Sequence, residues 1–148
     1  MPLPMRVRVV SVRPDESVQV AIARMQEENI GSVAVCDGPR LVGIFTERDV
    51  LRLAGEGADF LDLTVATVMT STPVTISPDA DLLDAARIMN ERNIRHLPVV
   101  EGENLLGIVG MREVLHALVE RLWQTQDPKF HDSARELLER RPSVIAER

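Results

Sequence analysis

The stretch Gly43-Ile44-Phe45-Thr46-Glu47-Arg48-Asp49-Val50-Leu51 returns 64 residues on as Gly107-Ile108-Val109-Gly110-Met111-Arg112-Glu113-Val114-Leu115. In each, an apolar run gives way to a polar segment and then to Val-Leu, which reads as a strand-to-helix junction used twice. The agreement extends outward without a gap, from Ser11 to Leu51 against Thr75 to Leu115. Pro14-Asp15 falls on Pro78-Asp79, Met25 on Met89, Asn29-Ile30 on Asn93-Ile94, and Gly38 on Gly102. Because the match covers Pro, Gly and Asn as well as apolar positions, the chain carries an internal duplication.

Within each copy the hydrophobic period changes in the same order. A short β-branched run opens it, Val7 to Val12 or Val74 to Ile76. Pro14 and Pro78 follow, and since Pro at a first helical position costs no hydrogen bond, a helix is expected to begin there. Val18, Ile22 and Met25, and likewise Leu82, Ala86 and Met89, recur every three to four residues and give that helix one apolar face. Asn29 and Asn93 stand where helices end in a left-handed residue. The apolar runs Ile30 to Cys36 and Ile94 to Val100 turn at Asp37-Gly38 and Glu101-Gly102 into second strands, Leu41 to Phe45 and Leu105 to Val109. A second helix closes each copy.

The expected fold class is therefore α+β: two β-α-β-β-α copies plus C-terminal helices. Ala54 to Asp62, with two Gly and three acidic residues, reads as an exposed connection, and Leu63 to Thr70 as a brief helical approach to the second copy. Beyond Leu115, Leu118, Val119, Leu122 and Trp123 keep helical spacing. Asp127-Pro128 starts another helix with Phe130, Ala134, Leu137 and Leu138 on one side, ended by Pro142. That stripe either covers the core or docks a second subunit. The boundaries are 1–62 for the first copy and connection, 63–118 for the second copy, and 119–148 for the C-terminal extension.

Composition narrows the function. The 148 residues are 45% hydrophobic but 3% aromatic, with no Tyr, so Val, Ile, Leu, Met and Ala must fill the core. A net charge of -6 argues against a broad footprint for duplex nucleic acid. The single Cys36 excludes an intramolecular disulfide framework. Met1 to Val10 lacks the apolar core of a secretory signal, and no apolar run is long enough to cross a bilayer, so a cytoplasmic protein is expected. An enzyme is not expected. Cys36 lies in an apolar strand, and no pair among His96, His116 and His131 falls at metal-ligating helical spacing.

The junction Gly43 to Asp49, the triplet Val68-Met69-Thr70 ahead of the second copy, and Asn93-Ile94-Arg95-His96-Leu97-Pro98-Val99-Val100 within it resemble the CBS domain, named after cystathionine β-synthase. Two in tandem resemble a Bateman module. That resemblance implies a pair packed by pseudo-twofold symmetry, with two clefts between its halves that take adenosine-containing ligands. It also implies a non-catalytic regulatory role toward a partner protein, and a homodimer of stacked pairs. AMP, ADP or ATP is the implied ligand, with NAD and S-adenosylmethionine as further candidates.

Thr46 at a helix start can offer its hydroxyl and nearby backbone N-H groups to a phosphate, and Asp49 can accept ribose hydroxyls. The same Thr-x-x-Asp spacing is also close to a capping box, which merely satisfies the helix's own N-H groups. The resemblance favours the ligand and completes its cleft with Ser32, Ile44, Arg48, Pro73 and Val74. It places Arg95 and Arg112 near the phosphates, where an Arg fork grips oxygens bidentately; the alternative is pairing with surface acids such as Glu91 or Glu113. In the second copy Gly110-Met111-Arg112-Glu113 lacks the hydroxyl, so His96, Ile108 and Glu113 would form a weaker or empty site. Two other functions stay open. One is an interaction module with vestigial clefts; the other is nucleic-acid binding through Arg6, Arg8, Arg13 and Arg24.

Overall fold

The computed structural model of the chain describes residues 3–5 and 9–139, so Arg6, Val7, Arg8 and Pro142 lie outside the described residues. Contacts divide the described chain into two units, 9–74 with 100–106, and 75–99 with 3–5 and 107–139.

The first unit holds strand β1 (Ser11–Val12), helix α1 (Val18–Glu28), β2 (Ser32–Asp37), β3 (Arg40–Thr46), α2 (Glu47–Gly55), α3 (Val65–Val68) and β4 (Thr70–Ser71). Strand β1 runs parallel to β2, and β2 pairs antiparallel with β3 from Ser32↔Thr46 to Asp37↔Arg40. Gly38, at φ 62°, takes the left-handed turn between them at no steric cost. Helix α1 lays Val18, Ala21 and Met25 onto Val33, Val35 and Phe45, with Val12, Leu53 and Val65 completing the core. Asn29 ends it at φ 53°, as its position implies.

Gly43 is required by β4. A Cβ there would stand 2.9 Å from the Thr70 carbonyl oxygen and against Met69 Sδ, so only glycine lets the 69–71 segment pair with β3. The two-residue β4 has no counterpart in the sequence reading. The connection is largely exposed as expected, although Ala58 and Phe60 pack against the core.

The second unit contains α4 (Leu82–Arg92), α5 (Met111–Gln124) and α6 (Pro128–Glu139), with most of β5 (His96–Glu101) and β6 (Asn104–Gly110). Leu82, Ala85, Ala86 and Met89 bury the face of α4, which Asn93 ends at φ 51°. Helix α6 packs on α4 and α5 through Ala134 and Leu137, so its stripe covers the core. Leu138 is 64% exposed and does not share that face. No helix among the described residues is long and apolar enough to cross a membrane.

Two expected element starts are corrected. Helices α1 and α4 begin at Val18 and Leu82, four residues beyond Pro14 and Pro78. The Ser17 hydroxyl accepts the Val20 N-H at 3.2 Å, and the Asp81 N-H donates to Asp84 Oδ2 at 3.1 Å, so cap chemistry outcompetes the proline signal. Val74 to Ile76 forms no strand; it contributes a single parallel bridge, Ile76↔Val99.

Candidate functional site

The first unit's site is built at the end of β3. Thr46 is the extended N-cap of α2, and its N-H donates to Asp49 Oδ2 at 2.9 Å. Its hydroxyl lies 3.4 Å from the same oxygen. The capping box is therefore formed, and one carboxylate oxygen, with its remaining lone pairs, can still accept from a ligand. Asp49 Oδ1 is 3.4 Å from Arg52 Nη2, a guanidinium that also donates to the Val68 carbonyl at 3.2 Å. The Glu47 N-H donates to the Gly31 carbonyl at 3.0 Å and ties the helix start to the chain entering β2.

Ser32 faces Thr46 directly across the β2–β3 ladder. It is 1% exposed, and its Oγ has no hydrogen-bond partner among the described residues. A buried hydroxyl left this way costs about 1–3 kcal/mol, a cost that a ligand can relieve. Ile44 is buried beside it, opposite Ala34 on one side and Thr70 on the other. Arg48 is exposed on the first turn of α2. Thr72 sits at φ 46°, a strained conformation for a β-branched residue, and turns the chain from β4 into the half-buried Pro73 and Val74.

Thus Ser32, Ile44, Thr46, Arg48, Asp49, Pro73 and Val74 all belong to the first unit. Sequence reasoning missed Arg52, whose three-residue spacing from Asp49 was its only signal, and Thr72, which had none.

Arg95, Arg112, His96, Ile108 and Glu113 belong to the second unit. Arg95 and Arg112 are exposed, His96 is half-buried at the start of β5, and Ile108 is 3% exposed. Gly110 is the N-cap of α5, and the Met111 N-H donates to the Arg95 carbonyl at 2.8 Å, repeating the Glu47–Gly31 bond. A Cβ at Gly110 would lie 2.8 and 2.9 Å from the Glu113 carboxylate oxygens, so that side chain turns back onto its own helix start.

Elsewhere the chemistry is sparse. Burial pushes the Cys36 thiol above its ordinary range and keeps it neutral. Among the described residues no group of three His, Cys, Asp or Glu side chains could hold a metal ion. An open groove of about 430 Å³ runs along α2, the connection and α3, lined by Arg52, Leu53, Ala58, Asp62, Leu63 and Val68 among others. It includes none of the expected ligand residues. Of the basic residues considered for nucleic acid, Arg13 pairs with Asp15 at 3.2 Å and Arg24 with Glu16 at 3.3 Å.

Comparison with known proteins agrees with this architecture. The CBS domain family model matches twice, at residues 3–56 and 65–120. The CBS domain-containing protein YhcV of Bacillus subtilis is 34% identical over 111 residues, spanning 74% of this chain and 79% of that protein. Arabinose 5-phosphate isomerase KdsD of Yersinia pestis is also 34% identical, over 110 residues, but the match spans 74% of this chain and only 34% of the isomerase. Among solved structures, CBSX2 in complex with AMP superposes with a TM-score of 0.69 at 29% identity, covering 78% of this chain and 92% of that one. The family model matched in both copies makes this chain a member of the CBS domain family, carrying the domain as a tandem pair.

Proposed function

We propose that this protein is a regulatory module that binds an adenosine-containing nucleotide, AMP, ADP or ATP, at the Thr46–Asp49 junction of the first copy and signals to a partner protein. The observation that carries the reading is the Ser32 hydroxyl, buried and unpartnered among the described residues, across the ladder from Thr46 and its Asp49 carboxylate. Asp49 is assigned the ribose hydroxyls, and Ile44, Pro73 and Val74 an apolar wall for the base. Thr46 and the α2 start are assigned a phosphate. The AMP complex of CBSX2 supports the ligand class. We place the protein in the cytoplasm on the same reading.

Ligand binding can move an equilibrium only by its difference in affinity for two arrangements, and α3, tied to Asp49 through Arg52, is the element assigned to respond. Calorimetry of the whole chain with AMP, ADP, ATP, NAD and S-adenosylmethionine tests the reading, which fails if none binds. A homodimer is also proposed, since Leu115, Val119 and Trp123 form an exposed apolar stripe along α5. Light scattering should give a mass twice the 16.5 kDa of one chain. Nucleic-acid binding is disfavoured by the acid partners of Arg13 and Arg24.

A further inference from the structure

The groove along α2, the connection and α3 lies wholly within the first unit. Its floor is apolar: Leu53 is 2% exposed, and Ala58, Leu63 and Val68 are half-buried. Its rim is acidic, formed by the exposed Glu56, Asp59 and Asp62. Arg52 is the one cation lining it among the described residues, and its guanidinium is already shared by Asp49 at 3.4 Å, Glu56 at 3.9 Å and the Val68 carbonyl at 3.2 Å. Asp59 and Asp62 have no cationic partner among the described residues.

The walls of the groove are fixed although the connection is exposed. The Ala58 N-H donates to the Leu53 carbonyl at 3.0 Å, and the Phe60 and Leu63 carbonyls accept from the Gln19 and Val18 N-H groups at 3.1 and 2.9 Å. Asp59 Oδ1 accepts the Leu61 N-H at 3.0 Å and holds the turn that carries Asp62. That turn leaves Leu61 73% exposed, an apolar side chain kept in water beside the rim.

The open shape decides the class of occupant. A small molecule needs to be enclosed over most of its surface, whereas an open groove of about 430 Å³ takes a side chain presented on a peptide segment. The floor calls for an apolar anchor, and the unpaired acids call for cations beside it. The same acids repel the phosphates of nucleic acids and lipid headgroups.

We propose that this groove docks a segment of a partner protein in which an apolar side chain is flanked by Lys or Arg. Naming the occupant as the regulated partner rests on the nucleotide reading; the chemistry of the groove does not. Arg52 joins the two, because the guanidinium that lines the groove also pairs with Asp49.

The test is fluorescence anisotropy on the full chain with a labelled peptide of two leucines flanked on each side by two lysines, beside versions with glutamates for the lysines or serines for the leucines. The first should bind saturably and the other two should not; equal binding by either would overturn the proposal. Asp59→Asn with Asp62→Asn, which keeps an acceptor for the Leu61 N-H, should weaken the leucine-lysine peptide by about threefold to tenfold, as the loss of two surface ion pairs implies. Asp132→Asn with Glu136→Gln makes an equal change of charge at exposed positions of α6 and should leave binding unchanged. Matching losses in the two double variants would reduce the attraction to net charge and overturn the proposal. Should circular dichroism show the Asp59 and Asp62 double variant unfolded, Asp62→Asn alone decides by the same comparison. A light-scattering mass halved by Asp62→Asn would give the groove to a second copy of this chain and likewise overturn it. AMP calorimetry keeps the two readings apart: peptide binding that the Asn variants weaken supports the groove whether or not AMP binds, and AMP uptake without peptide binding removes the groove alone.

Discussion

Replacing Asp49 by Ala separates the two roles its carboxylate can play. Its Oδ2 accepts the Thr46 N-H at 2.9 Å, and loss of such a cap costs about 1 kcal/mol. The Arg52 pair, at 3.4 Å with the guanidinium about half exposed, adds little to that. In a chain of this size about 1 kcal/mol lowers Tm by roughly 2–4 °C. A ligand is affected far more, because hydrogen bonds to a charged group contribute about 1.5–3 kcal/mol each. Two ribose hydroxyls lost from the carboxylate amount to about 3 kcal/mol or more, a weakening of Kd by about a hundredfold or more at 1.4 kcal/mol per decade. Scanning calorimetry without ligand reads the first effect, and titration with AMP reads the second. Asp49→Asn, which keeps an acceptor for the Thr46 N-H, should recover most of the Tm but not the affinity. If Asp49→Ala lowers Tm while changing the AMP Kd by less than about tenfold, Asp49 is a cap only, and the ligand role is wrong.

Three further outcomes are expected. Ser32→Ala removes a buried hydroxyl that lacks a partner among the described residues, so stability without ligand should hold or rise, while AMP weakens by about fivefold to tenfold; a clear loss of stability would mean the hydroxyl is already satisfied. Thr46→Val, which keeps the size of the side chain but removes its hydroxyl, should weaken AMP more than adenosine in the same calorimeter, and equal losses would remove that hydroxyl from phosphate recognition. Cys36 should resist a thiol reagent until denaturant is added, because it is 7% exposed and held neutral by burial. Its folded pKa lies above the unfolded thiol's, roughly 8.5, so the stability it contributes is intact below that pH and declines as pH rises past it. A urea midpoint that falls as steeply in Cys36→Ala at alkaline pH would assign the decline to other groups.

The duplication and the strand-to-helix junctions were legible because they depend on local chemistry repeated at one offset. Asn29 and Asn93 adopt the left-handed cap, and Gly38 and Gly102 the positive φ, that their places implied. The helix starts were misread where proline was weighed above Ser17 and the Asp81-x-x-Asp84 spacing, both of which were present in the sequence. Other features arise from tertiary contact and leave no local pattern. The two-residue β4 exists because Gly43 admits Met69 and Thr70, and Thr72, at φ 46°, turns the chain directly after it. At the site, Thr46 and Asp49 could be read either as cap or as ligand group, and the folded chain displays the cap outright. The unpartnered Ser32 hydroxyl and the inward turn of Glu113 required three dimensions to see.

The central claim is that the first copy's junction receives an adenosine nucleotide. A titration of isotope-labelled protein with AMP, followed by backbone amide resonances, tests it residue by residue. The account predicts saturable shifts at Ser32 and at Thr46 through Asp49, with the Gly110 to Glu113 amides largely unmoved. Unmoved resonances at Ser32 and Thr46 through Asp49, or shifts centred on Gly110 to Glu113, would contradict it.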